Sequence, residues 1–343
     1  MDKKGNFQAL TSLKGLFILI IALHNTLSVT PLFSRVPGVD FLILFGGFLG
    51  NSMFYILSGF LLPVGYKDRI QNHGISFKEY LLRRLKKLYP MYILSNAATL
   101  LLELLRYGVS AINIQKLVFT ILMVRSPYNH PTGFLCALFA CYIAFFAICY
   151  YAKTPTQYVC CIAASILAGY MLITLGWDLP YLTPGNGVAF MNFFIGCMLG
   201  EVYPLITEKC RRWLQPLLLV LIPLLMYLML AYGVEIIAGD VKVCFAFVIC
   251  PMILYLAWSQ GICSRILQFK GFVALGKISS AVFFWHLVLY FAFCDLYAGV
   301  TQGGTIQERQ YLLYFVLMLV ISAGFLKLEK WAGNRNRGKI SLN

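Results

Sequence analysis

Two residues near the start of the chain have types and a spacing that suit chemistry inside a membrane. Lys14 stands at the beginning of the first apolar segment, and His24 stands ten residues further on. In an α-helix this spacing places the imidazole about 15 Å deeper than the ammonium group, near the middle of a bilayer. A polar ring is costly at that depth, so His24 is a candidate catalytic residue and Lys14 its candidate partner.

His24 suits proton transfer. An imidazole in apolar surroundings favours its neutral form, because burial disfavours the charged form. A neutral ring can accept a proton from a hydroxyl group and so act as a general base. The alternative is a structural histidine bonded to a neighbouring helix. Lys14 and His24 lie about 80° apart around a helix, so the long lysine side chain must bend to approach the ring.

A basic cluster follows the second apolar segment and suits an anionic ligand. It contains Arg83, Arg84, Lys86 and Lys87, followed by a leucine, a tyrosine and a proline. On a helix, these charges stack within one turn of each other. Arginine binds phosphate through two hydrogen bonds and lysine adds point charge, so the patch suits the phosphates of coenzyme A. The alternative is retention of the loop at the cytoplasmic surface by lipid headgroups.

Five further residues are candidates for the wall of a cavity beside His24. Two lie in the second apolar segment, two lie near the end of the chain, and one follows the histidine: Tyr55, Ser58, Trp285, His286 and Asn25. The eleven cysteines form no CxxC pair and mostly lie in apolar segments, so they predict neither a metal site nor a disulfide framework.

The composition sets the class of protein. Of the residues, 60% are hydrophobic and only 12% are charged, which is too little charge to cover a soluble domain of this length. We therefore predict an all-α polytopic membrane protein, a single integral membrane domain over residues 1–343 with no fused soluble domain. A weaker apolar piece at 116–124 is too short to span, so we predict an interfacial or re-entrant helix there. The ten predicted spans are 13–30, 41–64, 88–105, 133–151, 158–176, 187–204, 214–233, 243–259, 272–297 and 311–328.

The basic residues orient these spans. With the N-terminus in the cytoplasm, 22 of the 28 lysines and arginines fall on the inside and six on the outside. The positive-inside rule therefore predicts ten spans with both termini cytoplasmic. The net charge of +15 does not indicate nucleic-acid binding, because it sits in short loops between spans.

Four blocks of sequence resemble the acyltransferase type 3 family of membrane acyltransferases. The first runs from Leu13-Lys14-Gly15-Leu16 to His24, and the second is Phe54 to Leu61. The third is the basic block from Tyr80 to Pro90, and the fourth runs from Gly276 to Trp285-His286. They occur in the family's order and span nearly the whole chain.

The resemblance implies a ten-span enzyme that takes an acyl group, usually acetyl, from acyl-coenzyme A on the cytoplasmic side. It implies that Lys14 and His24 match the family's basic residue and histidine, and that Arg84 and Lys87 match its basic pair. This chain departs in two ways. Nine residues rather than ten separate Lys14 from His24, and Thr11 stands where the family usually has an acidic residue.

These observations lead to an expected function and a rival. We expect an O-acyltransferase that moves acetyl from acetyl-CoA to a hydroxyl of a cell-envelope carbohydrate or lipid-linked glycan. Acetyl-CoA is then a co-substrate and no cofactor is permanently bound. We expect a bacterial cytoplasmic (inner) membrane protein in contact with membrane lipids, with room for a separate soluble partner chain. The rival is a transporter or flippase for a polar or lipid-linked solute, with His24 and His286 along its path.

Overall fold

The computed structural model of the protein describes residues 8–29, 33, 36, 38–177, 179, 181–258, 261–298 and 306–340, with backbone alone for 87, 229–244 and 328–340. These residues are almost entirely helical and form no β-strand, so the predicted all-α fold is confirmed. The helices are α1 (Gln8–Val29), α2 (Val39–Gln71), α3 (Phe77–Tyr107), α4 (Ile114–Ile121), α5 (Gly133–Tyr151), α6 (Pro155–Leu175), α7 (Pro184–Val202), α8 (Glu208–Ala257), α9 (Ile262–Leu267), α10 (Lys270–Ala298) and α11 (Glu308–Ile340).

Nine helical stretches within the described residues are long and apolar enough to cross a membrane, and they coincide with nine of the predicted spans. The remaining span, predicted at 243–259, is present as the shorter apolar helix Phe245–Ala257. The chain is therefore a polytopic membrane protein. The short piece predicted at 116–124 forms α4, which is too short to cross a bilayer.

The long element α8 contains two of the predicted spans. A straight helix of its 50 residues would be about 75 Å long. Its two ends nevertheless meet, because a guanidinium nitrogen of Arg211 donates to the carbonyl oxygen of Trp258 at 3.5 Å. The chain therefore reverses within α8, as expected for paired spans. The spans predicted at 214–233 and 243–259 imply a loop between them, and that expectation is wrong in local structure, because the backbone at 234–242 is helical.

Glycines let the helices around the site approach one another closely. A Cβ added to Gly15 of α1 would lie 2.6 Å from the backbone nitrogen of Gly276 in α10. Gly59 of α2 and Gly196 of α7 face each other's helices in the same way, each against a main-chain carbonyl. Small residues at helix interfaces are the usual means of close packing in membranes, where lipid offers no hydrophobic drive for association.

The ends of the helices define two faces. Lys14 near the start of α1, Arg84 near the start of α3 and Leu326 late in α11 line one cavity, so these ends share a face, here called the inner face. His24 and Arg125 line a second cavity toward the other end, here called the outer face. Both ends of the described chain thus lie toward the inner face. Its assignment to the cytoplasm stays a prediction from the positive-inside rule.

Candidate active site

The inner face opens into a cavity of about 780 Å³ bounded by α1, α2, α3, α5, α10 and α11, here called the inner cavity. Its described lining contains four cationic side chains and no acidic one: Lys14, Arg83, Arg84 and Lys277. A concave surface lined by one sign of charge concentrates ligands of the opposite sign. The inner cavity therefore suits an anion with several charges.

Arg84 is the cation most tightly built into this cavity. Its guanidinium carbon lies 4.3 Å from the ring centre of Tyr66 and 5.4 Å from that of Tyr142, which are cation–π distances. Its Nε is buried and finds no hydrogen-bond acceptor among the described residues. A buried donor without an acceptor is costly, so an anionic ligand that supplies one would be stabilised there.

The other residues of the predicted donor site differ from one another. Arg83 lines the inner cavity but also donates to Glu79 at 2.5 Å, and this hydrogen bond raises the pKa of the Arg83 guanidinium. Lys86 is exposed and is not part of the described cavity lining, so its predicted place in the site is not supported. The side chain of Lys87 lies outside the described residues.

Sequence reasoning gave no role to Lys277, which lines the inner cavity. The residue stands in the block Gly276-Lys277-Ile278-Ser279, whose first glycine packs against the backbone of α1. This close approach brings the starts of α1 and α10 together and places Lys277 in the same cavity as Lys14. The one feature of the sequence that could have indicated this place for Lys277 is a lysine next to a glycine at the start of a span.

The second cavity, here called the outer cavity, has a volume of about 610 Å³ and contains His24 in its wall. Its other polar lining consists mainly of amides and hydroxyl groups, with Arg125 as the one charged side chain in the described lining. The polar members include Asn25, Asn51, Tyr55, Ser126, Tyr181, Thr183 and Asn186. Amides and hydroxyls both donate and accept hydrogen bonds, as a polyhydroxylated ligand requires.

The ring of His24 is held in one orientation. Its Nδ1 lies 3.2 Å from the carbonyl oxygen of Leu42, and a carbonyl can only accept, so Nδ1 donates. In the neutral ring Nε2 is then the nitrogen with a free lone pair. This edge packs against Gly47, where an added Cβ would lie 2.5 Å from Nε2. Gly47 leaves the space that the ring occupies, and sequence reasoning gave it no such role.

His24 lies closer to the outer face than its spacing from Lys14 predicts. The helix α1 begins at Gln8 and ends at Val29, so His24 is in its last two turns and not near its middle. Lys14 lines the inner cavity while His24 lines the outer one. The predicted catalytic pairing of Lys14 with His24 is therefore not supported, because the two side chains belong to separate cavities about 15 Å apart along one helix.

The predicted cavity-lining residues divide between these cavities and the core. Asn25 and Tyr55 line the outer cavity with His24, whereas Ser58 lines the inner one. His286 is fully buried and lines neither cavity, since its Nδ1 lies 3.0 Å from the carbonyl of Val282 and its Nε2 lies 3.0 Å from the Asn25 amide nitrogen. Asn25 thus lies between His286 and the outer cavity.

Trp285 also lies away from both cavities. Its ring stacks on that of Phe325 in α11, with centres 4.2 Å apart and planes at 9°. Trp285 and His286 are therefore both absent from the described cavity walls, and the expectation that they border a cavity beside His24 is not supported. Among the described residues no group of three or more His, Cys, Asp or Glu side chains is placed to hold a metal ion.

A buried polar network that sequence reasoning missed supports the floor of the outer cavity. The Oδ1 of Asn96 accepts from the Ser126 hydroxyl at 2.9 Å and from the backbone nitrogen of Asn129 at 3.1 Å. Its Nδ2 donates to Thr132 at 3.1 Å, and the Asn129 amide donates to the carbonyl of Phe284 at 3.0 Å. Ser126, Asn129 and Thr132 are all buried, so this segment is packed into the helix bundle rather than being an exposed loop.

Comparison with known protein families gave one match relevant to this site. A family model described as an acyltransferase domain, of the type 3 acyltransferases, matches residues 7–327, nearly the whole chain. Searches of curated proteins and of solved structures gave no match.

Proposed function

The chain belongs to the type 3 family of membrane acyltransferases, and from this premise we propose that it transfers an acetyl group from acetyl-CoA to a hydroxyl of an envelope carbohydrate. The donor enters from the cytoplasmic side and the enzyme resides in a bacterial inner membrane. A free or lipid-linked glycan is the acceptor. The observation that carries the proposal is an inner cavity with four cations placed end to end with a polar outer cavity that has one cation and an oriented histidine.

The inner cavity supports the choice of donor. Coenzyme A carries its negative charges on the phosphates of its nucleotide part, and four cations with no lining carboxylate suit them. Arg84 offers a buried, unsatisfied donor, and Lys14 and Lys277 add point charge. The uncharged pantetheine arm would then extend toward the hydroxyl of Ser58 and the aromatic rings at the end of the cavity.

His24 supports a general-base mechanism. The hydroxyl of the acceptor approaches Nε2, which takes its proton as the oxygen attacks the thioester carbon. The carbon–sulfur bond then breaks, and the leaving thiolate of coenzyme A takes up a proton. The hydrogen bond from Nδ1 to Leu42 fixes the tautomer in which Nε2 can accept. Excluding water from this step preserves the thioester, because hydrolysis would waste the donor.

The outer cavity supports a carbohydrate as the acceptor. Its lining combines three asparagines, a threonine and two tyrosines. Amide and hydroxyl groups match the hydroxyls of a sugar, and tyrosine rings offer flat apolar surface with a polar end. A transporter that uses the same cavities would need no thioester chemistry, and membership of an acyltransferase family argues against it.

The test uses the full-length protein in lipid nanodiscs with acetyl-CoA labelled in the acetyl group and a carbohydrate extract of envelopes. We expect label to enter the carbohydrate fraction and to be released by mild alkali, as an O-acetyl ester requires. Binding of acetyl-CoA is compared with that of acetyl-pantetheine, which lacks the nucleotide and its phosphates and should bind at least tenfold more weakly. Label confined to another fraction would contradict a carbohydrate acceptor. Equal binding of both donors would contradict phosphate binding in the inner cavity.

A further inference from the structure

Phe134 stands in the walls of both cavities. It belongs to the described lining of the inner cavity and to that of the outer cavity. Its ring stacks on that of Tyr55, with centres 4.3 Å apart, and meets the rings of Phe54 and Phe283 edge-on at 6.1 and 5.6 Å. The two cavities therefore meet at a cluster of aromatic rings centred on Phe134.

The barrier between the cavities is thin. On α2, Tyr55 lines the outer cavity and Ser58 lines the inner one. These residues are less than one helical turn apart, which corresponds to about 5 Å along the helix axis. That length is close to the thickness of one aromatic ring with its contacts. One side chain is thus enough to separate the two spaces.

The backbone on either side holds the ring in place. Two residues before Phe134, the hydroxyl of Thr132 accepts a hydrogen bond from the side-chain amide of Asn96. The carbonyl oxygen of Phe134 itself accepts a hydrogen bond from the Tyr55 hydroxyl at 3.3 Å. Gly133 between them has open space around its Cα, so it adds no packing of its own. The position of the ring therefore depends on the polar network and on Tyr55.

We propose that Phe134 is the partition between the two cavities and sets the largest acyl group that can cross from the donor to the acceptor. The inference rests on the proposed acyl transfer, and the reason is geometric. A thioester held in the inner cavity must pass this ring to reach His24, and an acetyl group needs less displacement of the ring than a longer acyl group does. The same ring keeps water in the outer cavity away from the waiting thioester.

The first experiment tests the partition without any acyl transfer. Ser58→Cys places a thiol in the inner cavity, and intact spheroplasts are treated from outside with the anionic, impermeant reagent sulfonatoethyl methanethiosulfonate. Labelling is measured peptide by peptide, so that the new cysteine is distinguished from the native ones. Adding Phe134→Ala should speed labelling of the new cysteine by about tenfold or more, whereas Phe139→Ala should not. Phe139 is a half-buried residue of α5 that lines neither cavity.

Equal labelling rates in the presence and absence of Phe134→Ala would overturn the partition. Phe134→Leu keeps apolar volume without the ring, so it should give an intermediate rate and serves if the alanine variant fails to fold. Phe134→Trp should slow labelling below that of Ser58→Cys alone. Because the labelling rate reports access to the cysteine and not acyl transfer, this result stands whether or not acetyl-CoA is the substrate.

The second experiment tests the limit on acyl size. Transfer from acetyl-CoA and hexanoyl-CoA to envelope carbohydrate is compared in wild type, Phe134→Ala and Phe139→Ala. We expect the preference for acetyl to fall by about tenfold or more in Phe134→Ala alone, since removing bulk from a pocket typically changes such ratios by this order. An unchanged preference with faster cysteine labelling would overturn the role in acyl choice but keep the partition. Absence of transfer from either donor in wild type would overturn the proposed function instead.

Discussion

The inner and outer cavities differ in how they use polar side chains. Four cationic side chains line the inner cavity, whereas the outer one has a single cation, Arg125, among two histidines, amides and hydroxyls. A cation next to the imidazole of His24 would oppose its protonation and weaken it as a base. Four of the five cations in the described linings therefore lie across Phe134 from the imidazole that is proposed to move a proton. Variants of the two cavities should therefore affect different measurements.

The largest effect is expected from His24→Gln. Glutamine keeps hydrogen-bonding capacity but cannot shuttle a proton near neutral pH, so acetyl transfer should fall by about 10² to 10⁴. Binding of acetyl-CoA should stay within about twofold of wild type, because the cations lie in the other cavity. Both quantities are measured on the same purified protein. Transfer near the wild-type rate would show that His24 is a structural residue and would contradict a role of the outer cavity in proton transfer.

Gly47→Ala tests whether the ring must sit where the structure has it. The added methyl group would lie 2.5 Å from Nε2 of His24, so the ring has to move. A displacement of about 1 Å in a reacting group can cost about 10² in rate. We expect a loss of this order in transfer with unchanged donor binding. Gly65→Ala in the same helix is the matched control, since no atom lies within 4 Å of its added Cβ.

Arg84→Gln should weaken donor binding and leave the transfer rate nearly unchanged, the opposite of the pattern expected for His24→Gln. Loss of a charge-assisted hydrogen bond costs about 1.5–3 kcal/mol, so the dissociation constant for acetyl-CoA should rise by about 10- to 100-fold. The rate at saturating donor should change far less. Lys86→Ala removes a charge from the same helix but outside the described cavity wall, and should leave binding within about twofold. Equal losses in both variants would mean that general surface charge, and not the cavity, binds the donor.

Asn25→Ala is expected to give the smallest effect. It removes the partner of His286 and one polar group from the outer cavity. A neutral hydrogen bond is worth about 1 kcal/mol net, which corresponds to about a fivefold loss of transfer. Donor affinity should not change. Measured weakening of acetyl-CoA binding would show that the donor reaches past Phe134 in its ground state.

Much of the fold follows from local properties of the sequence. Runs of apolar residues long enough for a bilayer located nine of the spans, because the solvent of these helices is lipid and the signal is contained in each segment. The distribution of basic residues predicts their orientation. A buried imidazole stood out as a candidate site for the same reason, since a polar group in an apolar run is costly wherever the helix lies.

The arrangement of the site was decided only by tertiary structure. The sequence paired Lys14 with His24 because both lie on one helix, yet the packing of α5 and its Phe134 against α2 puts them in separate cavities. Lys277 joins Lys14 only because glycines let α1 and α10 touch. The residues that meet at these cavities are far apart along the chain, and hydropathy describes each helix alone. Which helices become neighbours depends on shape complementarity between whole surfaces, and that is a property of the assembled bundle.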